Sequence, residues 1–484
     1  MTILQTTTKQ TPKLSKQKRI FEFLSATFVA TAQKEFYNTK DEQRDALLKS
    51  HQPVLETYRS FYTLLLLAPI NDVNKQIIIY NLLKHGKSIS KSSDWKEREI
   101  IFQALNNMPI QRAFKTFRML RKLSVNNSRT RWLARKFLSS RRNIHFEVVK
   151  YKAAIKDLVI HNHVYFKDSE VFDFLFNKKK EFKNKLFNNY IKAKTDVDAV
   201  YKLPYSIAEG FAATHKIERK NFLKKIENKM TDSEKLRTQE SSKKVGVKMK
   251  VDWTKFRLVQ LFKYLRTQKR IPAKANDVID MLASKIAETI PYEWKKIRVV
   301  LDNSGSSFAS EEKKYHPIAV GQSLSHILRH KTKNFKEYFT NVTRSDKILA
   351  KVGGATDLAT PVLKALKSKP DLLVIVSDGY ENQPQGLTSQ VVRAYKNKID
   401  KDNKTTICHI NPVFAAEKGS TKELGEDIPS FGLLNVEQLT TSFLLIEAKN
   451  NLSNAIANFE NYLIERKQQV DFDKIPNYLI EQKT

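Results

Sequence analysis

Residues 299–307 read VVLDNSGSS and residues 374–382 read VIVSDGYEN. Each is a short, continuously apolar run ending in an aspartate. Continuous rather than alternating apolar residues predict strands covered on both faces, as in a parallel sheet. In open α/β sheets, ligands sit beyond the carboxyl ends of the strands, near the topological switch point. Asp302 and Asp378 are expected to emerge there. Ser304 and Ser306 follow Asp302 at alternate positions, so one tight turn can aim all three side chains at a single point. Between the two runs lies GGATDLATP, residues 353–361, which sets Thr356 just after a glycine turn and before a helical stretch.

Two carboxylates with three hydroxyls form an all-oxygen donor set. Hard cations choose such ligands, so Asp302, Ser304, Ser306, Thr356 and Asp378 are expected to bind Mg²⁺ or Mn²⁺. No histidine or thiolate is close in sequence, which disfavours zinc. The competing reading is that these groups only cap turns and helices. A phosphotransferase using Asp302 as nucleophile would want a second carboxylate two residues later, where this chain has Ser304. No nucleophile–base pair stands out for a hydrolase, so no enzyme activity is expected.

The pattern resembles the metal-ion-dependent adhesion site of the von Willebrand factor A family. That site has Asp-x-Ser-x-Ser, then a threonine in a glycine-flanked turn, then an aspartate ending a later strand. The resemblance implies direct metal ligation by Ser304 and Ser306, ligation by Thr356 directly or through water, and ligation by the aspartates mostly through water. It also implies one open position for an acidic group of a partner.

Outward from this segment the helical and strand signals separate. Further strands are expected at 338–340, 405–410 and 442–446. Helices are expected at 318–330, 357–366, 387–396 and 455–466. Before Trp294 the apolar spacing is mostly helical: 53–67, 74–85, 97–106, 111–123, 131–139, 146–160, 171–192, 216–230, 254–267 and 275–289. The polar stretch 231–251 reads as a long loop. Of 12 glycines, only Gly86, Gly210 and Gly246 precede residue 297. The expected organisation is therefore a loose basic tail (1–19), a basic helical region (20–290) of bundle or stacked-hairpin type, and a doubly wound parallel α/β domain (291–484).

Charge divides at the same place. The 484 residues carry a net charge of +35. Residues 1–296 hold 61 basic and 29 acidic side chains, and residues 297–484 hold 25 and 22. An AT-rich coding bias toward lysine would have touched both halves alike, so the helical half reads as built for a polyanion. Its densest stretch comprises Arg112, Lys115, Arg118, Arg121, Lys122, Arg129, Arg131, Arg135, Lys136, Arg141 and Arg142, with no acid among residues 112–142. Lys115, Arg118 and Lys122 share a helix face turned away from Phe114 and Phe117, which suits a phosphate backbone. Trp132, Phe137 and Phe146 fall within or beside the run and read as core before they read as stacking platforms. Lys178–Lys180 and Lys243–Lys250 are secondary basic clusters.

A basic helical region followed by an A domain resembles the Ro autoantigen (TROVE) family, and LGEDIPSFG at 424–432 is similar to that family's A domain in position and character. The resemblance implies a non-catalytic protein that binds small structured or misfolded RNA on a ring of helical repeats. The alternative is an adaptor whose metal site grips acidic protein partners, beside a chaperone-like ATPase. With one cysteine, Cys408, and no apolar stretch longer than residues 64–70, a disulfide scaffold and a membrane span are not expected. The expected location is the cytoplasm.

Overall fold

The two apolar runs that end in aspartate are adjacent strands of one sheet. In the computed structural model, residues 16–86, 91–268, 270–341, 349–439, 441–443, 458–459 and 461–465 are described. The strands are β1 (Lys296–Leu301), β2 (Asn334–Phe339), β3 (Leu372–Val376), β4 (Thr406–Asn411) and β5 (Ser430–Gly432). They form a five-stranded sheet of order β2-β1-β3-β4-β5. Every pair is parallel, with Leu301 opposite Phe339 on one side and Val376 on the other. Chain direction across the sheet reverses between β1 and β3, so the switch point lies at Asp302 and Asp378.

Both faces are covered, which is why the central strands are apolar throughout. Val300, Leu373, Ile375 and Ile407 pack with Val362 and Leu366 of the helix Ala359–Leu366 and Val392 of the helix Leu387–Lys398. On the opposite face, Gly321 of the helix His316–Arg329 brings its backbone close to Leu301 and Val376. A Cβ there would sit 3.2 Å from Leu301.

Packing divides the chain into two units, and they depart from the division that composition suggests. Among the described residues, one contains 16–59, 69–74 and 258–462; the other contains 60–68, 75–257 and 463–465. The break expected near residue 290 falls inside the sheet-bearing unit, because the helices Leu258–Arg266 and Ala275–Ala287 pack on the helix His316–Arg329. The N-terminal helix Lys16–Val29 belongs to that unit too and takes in residues 16–19, expected to be loose. It packs on β5, where Phe21 and Phe28 meet Phe431 edge-on.

The second unit is helical. The helix Lys91–Asn107 packs on Ser128–Ser139, and Ile110–Lys122 packs on Lys152–Asn162. Farther along, Leu203, Tyr205, Phe222, Leu223 and Ile226 form a continuous buried core. Two expectations are corrected here. The stretch 231–251 is not one long loop: residues Asp232–Lys244 are a helix started by a Thr231–Glu234 capping box, whose paired side chains satisfy the first free backbone N–H groups. The stretch 171–192 is not one helix but two, Ser169–Leu175 and Lys185–Lys192. In the other unit, residues 442–443 of the expected last strand are helical, and 444–446 lie outside the described residues. Residues 455–457, 460 and 466 of the expected final helix lie outside them as well.

Candidate functional site

Asp302 leaves β1 with its backbone N–H still paired to Val376, 2.9 Å away. Its Oδ1 accepts from the Ser304 N–H at 2.8 Å and from the Thr340 hydroxyl at 3.2 Å. The Ser307 hydroxyl donates to the Asp302 carbonyl at 2.7 Å and closes the turn. That turn places the Ser304 and Ser306 hydroxyls 3.3 Å apart. Asp302, Ser304, Ser306, Thr356 and Asp378 are all buried.

Thr356 is brought in by its glycine turn. Gly353 N–H donates to the Asn303 carbonyl at 2.9 Å, and Gly305 N–H donates to the Gly354 carbonyl at 3.0 Å. Gly354 has φ +86°, and a Cβ there would fall 2.6 Å from the Asn341 side chain, so only glycine fits. Thr356 N–H donates to Asn382 Oδ1 at 3.0 Å, which ties this loop to the one after β3. On that loop Asp378 accepts from the Tyr380 N–H at 3.0 Å and hydrogen-bonds Ser306. The five residues read from the sequence therefore sit on three loops stitched together at the switch point.

Electrostatics sets this cluster apart from an ordinary set of caps. Burial pushes the Asp302 carboxyl well above the usual range, and the nearby charge of Asp378 pushes it further. Burial raises Asp378 as well, opposed by its bond to Ser306. Asp302 Oδ2 is buried with no hydrogen-bond partner. Two desolvated carboxylates, one with an orphaned oxygen, beside paired hydroxyls fit a hard divalent cation, whose charge would offset the repulsion. Among the described residues no group of three His, Cys, Asp or Glu side chains gathers. The side chains that meet at the switch point are carboxylates and hydroxyls.

Several neighbours were not legible in the sequence. Tyr37 hydrogen-bonds Ser306, and its ring lies 4.1 Å from that of Tyr380. Lys422 stands with Nζ 3.5 Å from the centre of the Tyr380 ring, and the Tyr380 hydroxyl donates to Glu417. Behind Asp378, His409 is buried between the hydroxyls of Ser377 (3.0 Å) and Ser430 (2.9 Å). No local pattern near Tyr37 pointed to the site, whereas Asn303 sat inside the quoted motif as a usable signal.

The basic run divides on folding. Arg112, Lys115, Arg118, Arg121 and Lys122 are exposed on the helix Ile110–Lys122, opposite its buried Ala113, Phe114, Phe117 and Leu120. Arg121 is engaged by Asp157 at 2.7 Å. Arg142 is exposed, and Arg131, Arg135 and Lys136 are half-buried. Arg129 is corrected: it is buried, with Nε 2.7 Å from Asp94, Nη2 2.5 Å from Glu97 and Nη1 donating to the Leu82 carbonyl, so it cannot reach a phosphate. Arg141 is half-buried and held by Glu147 through Nε and Nη2. Phe137 is core, as expected.

No protein-family model matches the chain, and no curated protein matches it in sequence. Among the described residues no helix is long and apolar enough to cross a membrane.

Proposed function

We propose that this chain is a non-catalytic RNA-binding protein of the Ro (TROVE) type, acting in the cytoplasm, with a von Willebrand factor A domain that docks a partner through a divalent cation. The observation that carries the RNA reading is the exposed face of Arg112, Lys115, Arg118 and Lys122, set opposite an apolar face that the fold needs. Phosphate contacts from such a face position a nucleic acid without reading its bases. Small structured or misfolded RNA is the class that the family resemblance names.

The A-domain reading is supported by the parallel sheet, its switch point and the convergence of Asp302, Ser304, Ser306 and Asp378. Mg²⁺ or Mn²⁺ would be held by these four and Thr356. The bound ion would supply a Lewis-acidic position for a partner's carboxylate. Asp302 and Asp378 supply the negative charge, and Ser304 and Ser306 supply neutral oxygens. The turn held by Ser307 and Thr340 fixes where Asp302 points.

The test is binding of a labelled structured RNA to the whole chain across a salt series. If about six phosphates are contacted, affinity falls on the order of a thousandfold between about 50 and 200 mM salt. A flat salt profile, or no binding at low salt, removes the reading.

A further inference from the structure

We propose that the outer face of the helix Ser169–Leu175, together with Tyr165, is a stacking platform for the bases of single-stranded RNA. The inference rests on the RNA-binding reading above and adds where unpaired bases are held.

The helix uses Val171, Phe174 and Leu175 for the core. Phe172 and Phe176, one turn apart, fall on its other side and are only half-buried. Tyr165, just before the helix, is 46% exposed. The rings of Tyr165 and Phe172 have centroids 6.5 Å apart and planes within 19° of parallel. Phe172 and Phe176 follow at 4.5 Å and 36°. Three aromatic rings thus line one side of the element that the core does not need. Of the three rings Tyr165 is the exposed one, and Phe172 and Phe176 are half-buried beside it, so the row opens to solvent at Tyr165.

The charges around it select the partner. Lys178 stands with Nζ 4.7 Å from the centre of Phe172, and Lys156 stands 5.2 Å from that of Phe176. Neither lysine makes an ion pair among the described residues. The acids of the same helix are occupied: Asp173 is 2.7 Å from Lys179, and Glu170 accepts from the Lys183 and Asn184 N–H groups. Flat apolar faces with an available ammonium beside each match a strand in which bases and phosphates alternate. An acidic peptide would use the lysines but not the ring faces. Base–aromatic stacking tolerates any sequence, because every base has a π-face. The two lysines cover the rings in the free protein and can swing to phosphates as bases take their place.

The experiment uses the whole chain and three labelled probes of about ten nucleotides: a single-stranded RNA, its duplex, and an abasic ribose–phosphate strand. Fluorescence anisotropy is read for wild type, for Tyr165→Ala with Phe172→Leu, and for Lys156→Gln with Lys178→Gln. The leucine keeps apolar volume, and a thermal melt checks the fold. The expected result is that the aromatic variant loses about tenfold or more for the single strand, with duplex and abasic strand unchanged. The lysine variant loses affinity for all three. If the aromatic variant melts early, Tyr165→Ala alone still weakens the single strand severalfold at wild-type stability. The platform is overturned if single-strand binding is unchanged in the aromatic variants, if the abasic strand loses as much as the RNA, or if a polyglutamate peptide competes as well as the RNA. Wild type binding no RNA at all overturns the broader reading instead.

Discussion

Phe28 meets Phe431 edge-on, with ring centroids 5.1 Å apart and planes at 66°. The first helix is therefore a layer of the sheet-bearing unit, lying on its last strand. Next door, Gly432 N–H donates to the Ser25 hydroxyl at 2.8 Å, and a Cβ on Gly432 would fall 2.3 Å from the Ser25 carbonyl oxygen. The exposed edge that β5 would present is thereby occupied.

A fragment of residues 258–484 alone keeps the helices Leu258–Arg266 and Ala275–Ala287 but lacks this cover and leaves Phe431 open. It is expected to aggregate or to melt without cooperativity, and to recover when residues 1–59 are co-expressed. Size-exclusion chromatography decides it: a monodisperse, cooperatively melting 258–484 would contradict the assignment of the first helix. In the whole chain, Gly432→Ala should cost about 1–3 kcal/mol through forced displacement of that helix.

The buried carboxylate Asp302 gives a prediction whose size depends on pH. Burial raises Asp302 above its ordinary value, so its protonated form suits the fold. That contribution is fully present below about pH 4 and is lost as pH rises through the raised folded value. Asp302→Asn imitates the protonated form. In EDTA at pH 8 it should be more stable than wild type by about 2–4 kcal/mol, with the gap closing toward pH 4. Added Mn²⁺ should raise the wild-type melting temperature and leave Asp302→Asn unmoved. A Mn²⁺ shift of equal size in both proteins would count against the site.

Much of this was legible because the chemistry is local. β1 and β3 announce themselves as apolar runs ending in aspartate, and Asp302, Ser304 and Ser306 lie within one turn. β5 was missed: it has three residues, begins after Pro429 and contains Gly432, so its pairing with β4 outweighs a poor strand propensity. The helix Asp232–Lys244 was missed because it lacks an apolar stripe, although Thr231 and Glu234 carried the capping signal. Arg129 could not be told from Arg131 by sequence, since its partners Asp94 and Glu97 lie on another helix.

Arg129 should behave as a structural residue. Removing it leaves Asp94 and Glu97 buried without their cation, so Arg129→Ala is expected to cost the helical unit about 3–5 kcal/mol. Arg129→Lys should rescue little, because an ammonium cannot span two carboxylates and the Leu82 carbonyl as a guanidinium fork does. Urea unfolding checks this. A midpoint unchanged in Arg129→Ala, with weakened RNA binding, would return the residue to the phosphate-binding face.

Acid sensitivity should come from buried imidazoles. Burial pushes His51 and His409 down to about 4. Their neutral forms contribute stability that is present above the ordinary value of about 6.5 and is lost as pH falls through about 4, roughly 3 kcal/mol for each. Asp302 has the opposite slope, so the measurement belongs in the Asp302→Asn background. The melting temperature is expected to fall steadily from pH 6.5 to 4.5, with the His51 and His409 ring protons still at neutral-form NMR shifts at pH 5.5. Titration of those protons near 6.5 in the folded protein would refute the account.

Reversal of Lys115, Arg118 and Lys122 to glutamate tests the basic face itself. These side chains are exposed while Phe114, Phe117 and Leu120 of the same helix are buried, so the changes do not touch the core. They stand among Arg112 and Arg121 on one helix, where like charges repel in the free protein. A polyanion relieves that repulsion and releases its own counterions. RNA affinity should therefore fall by about 1 kcal/mol or more for each phosphate no longer held. The weakening should be similar across RNA sequences, because phosphates carry no base information. The slope of affinity against salt should flatten by about 1 for each such phosphate. Thermal stability should stay level or rise slightly, since three repelling charges become partners for their neighbours. Anisotropy titrations at two salt concentrations, with a melt on the same samples, separate the outcomes. Undiminished RNA binding at moderate salt would make this face a solvated one and move the main RNA contact to the lysines around Phe172 and Phe176.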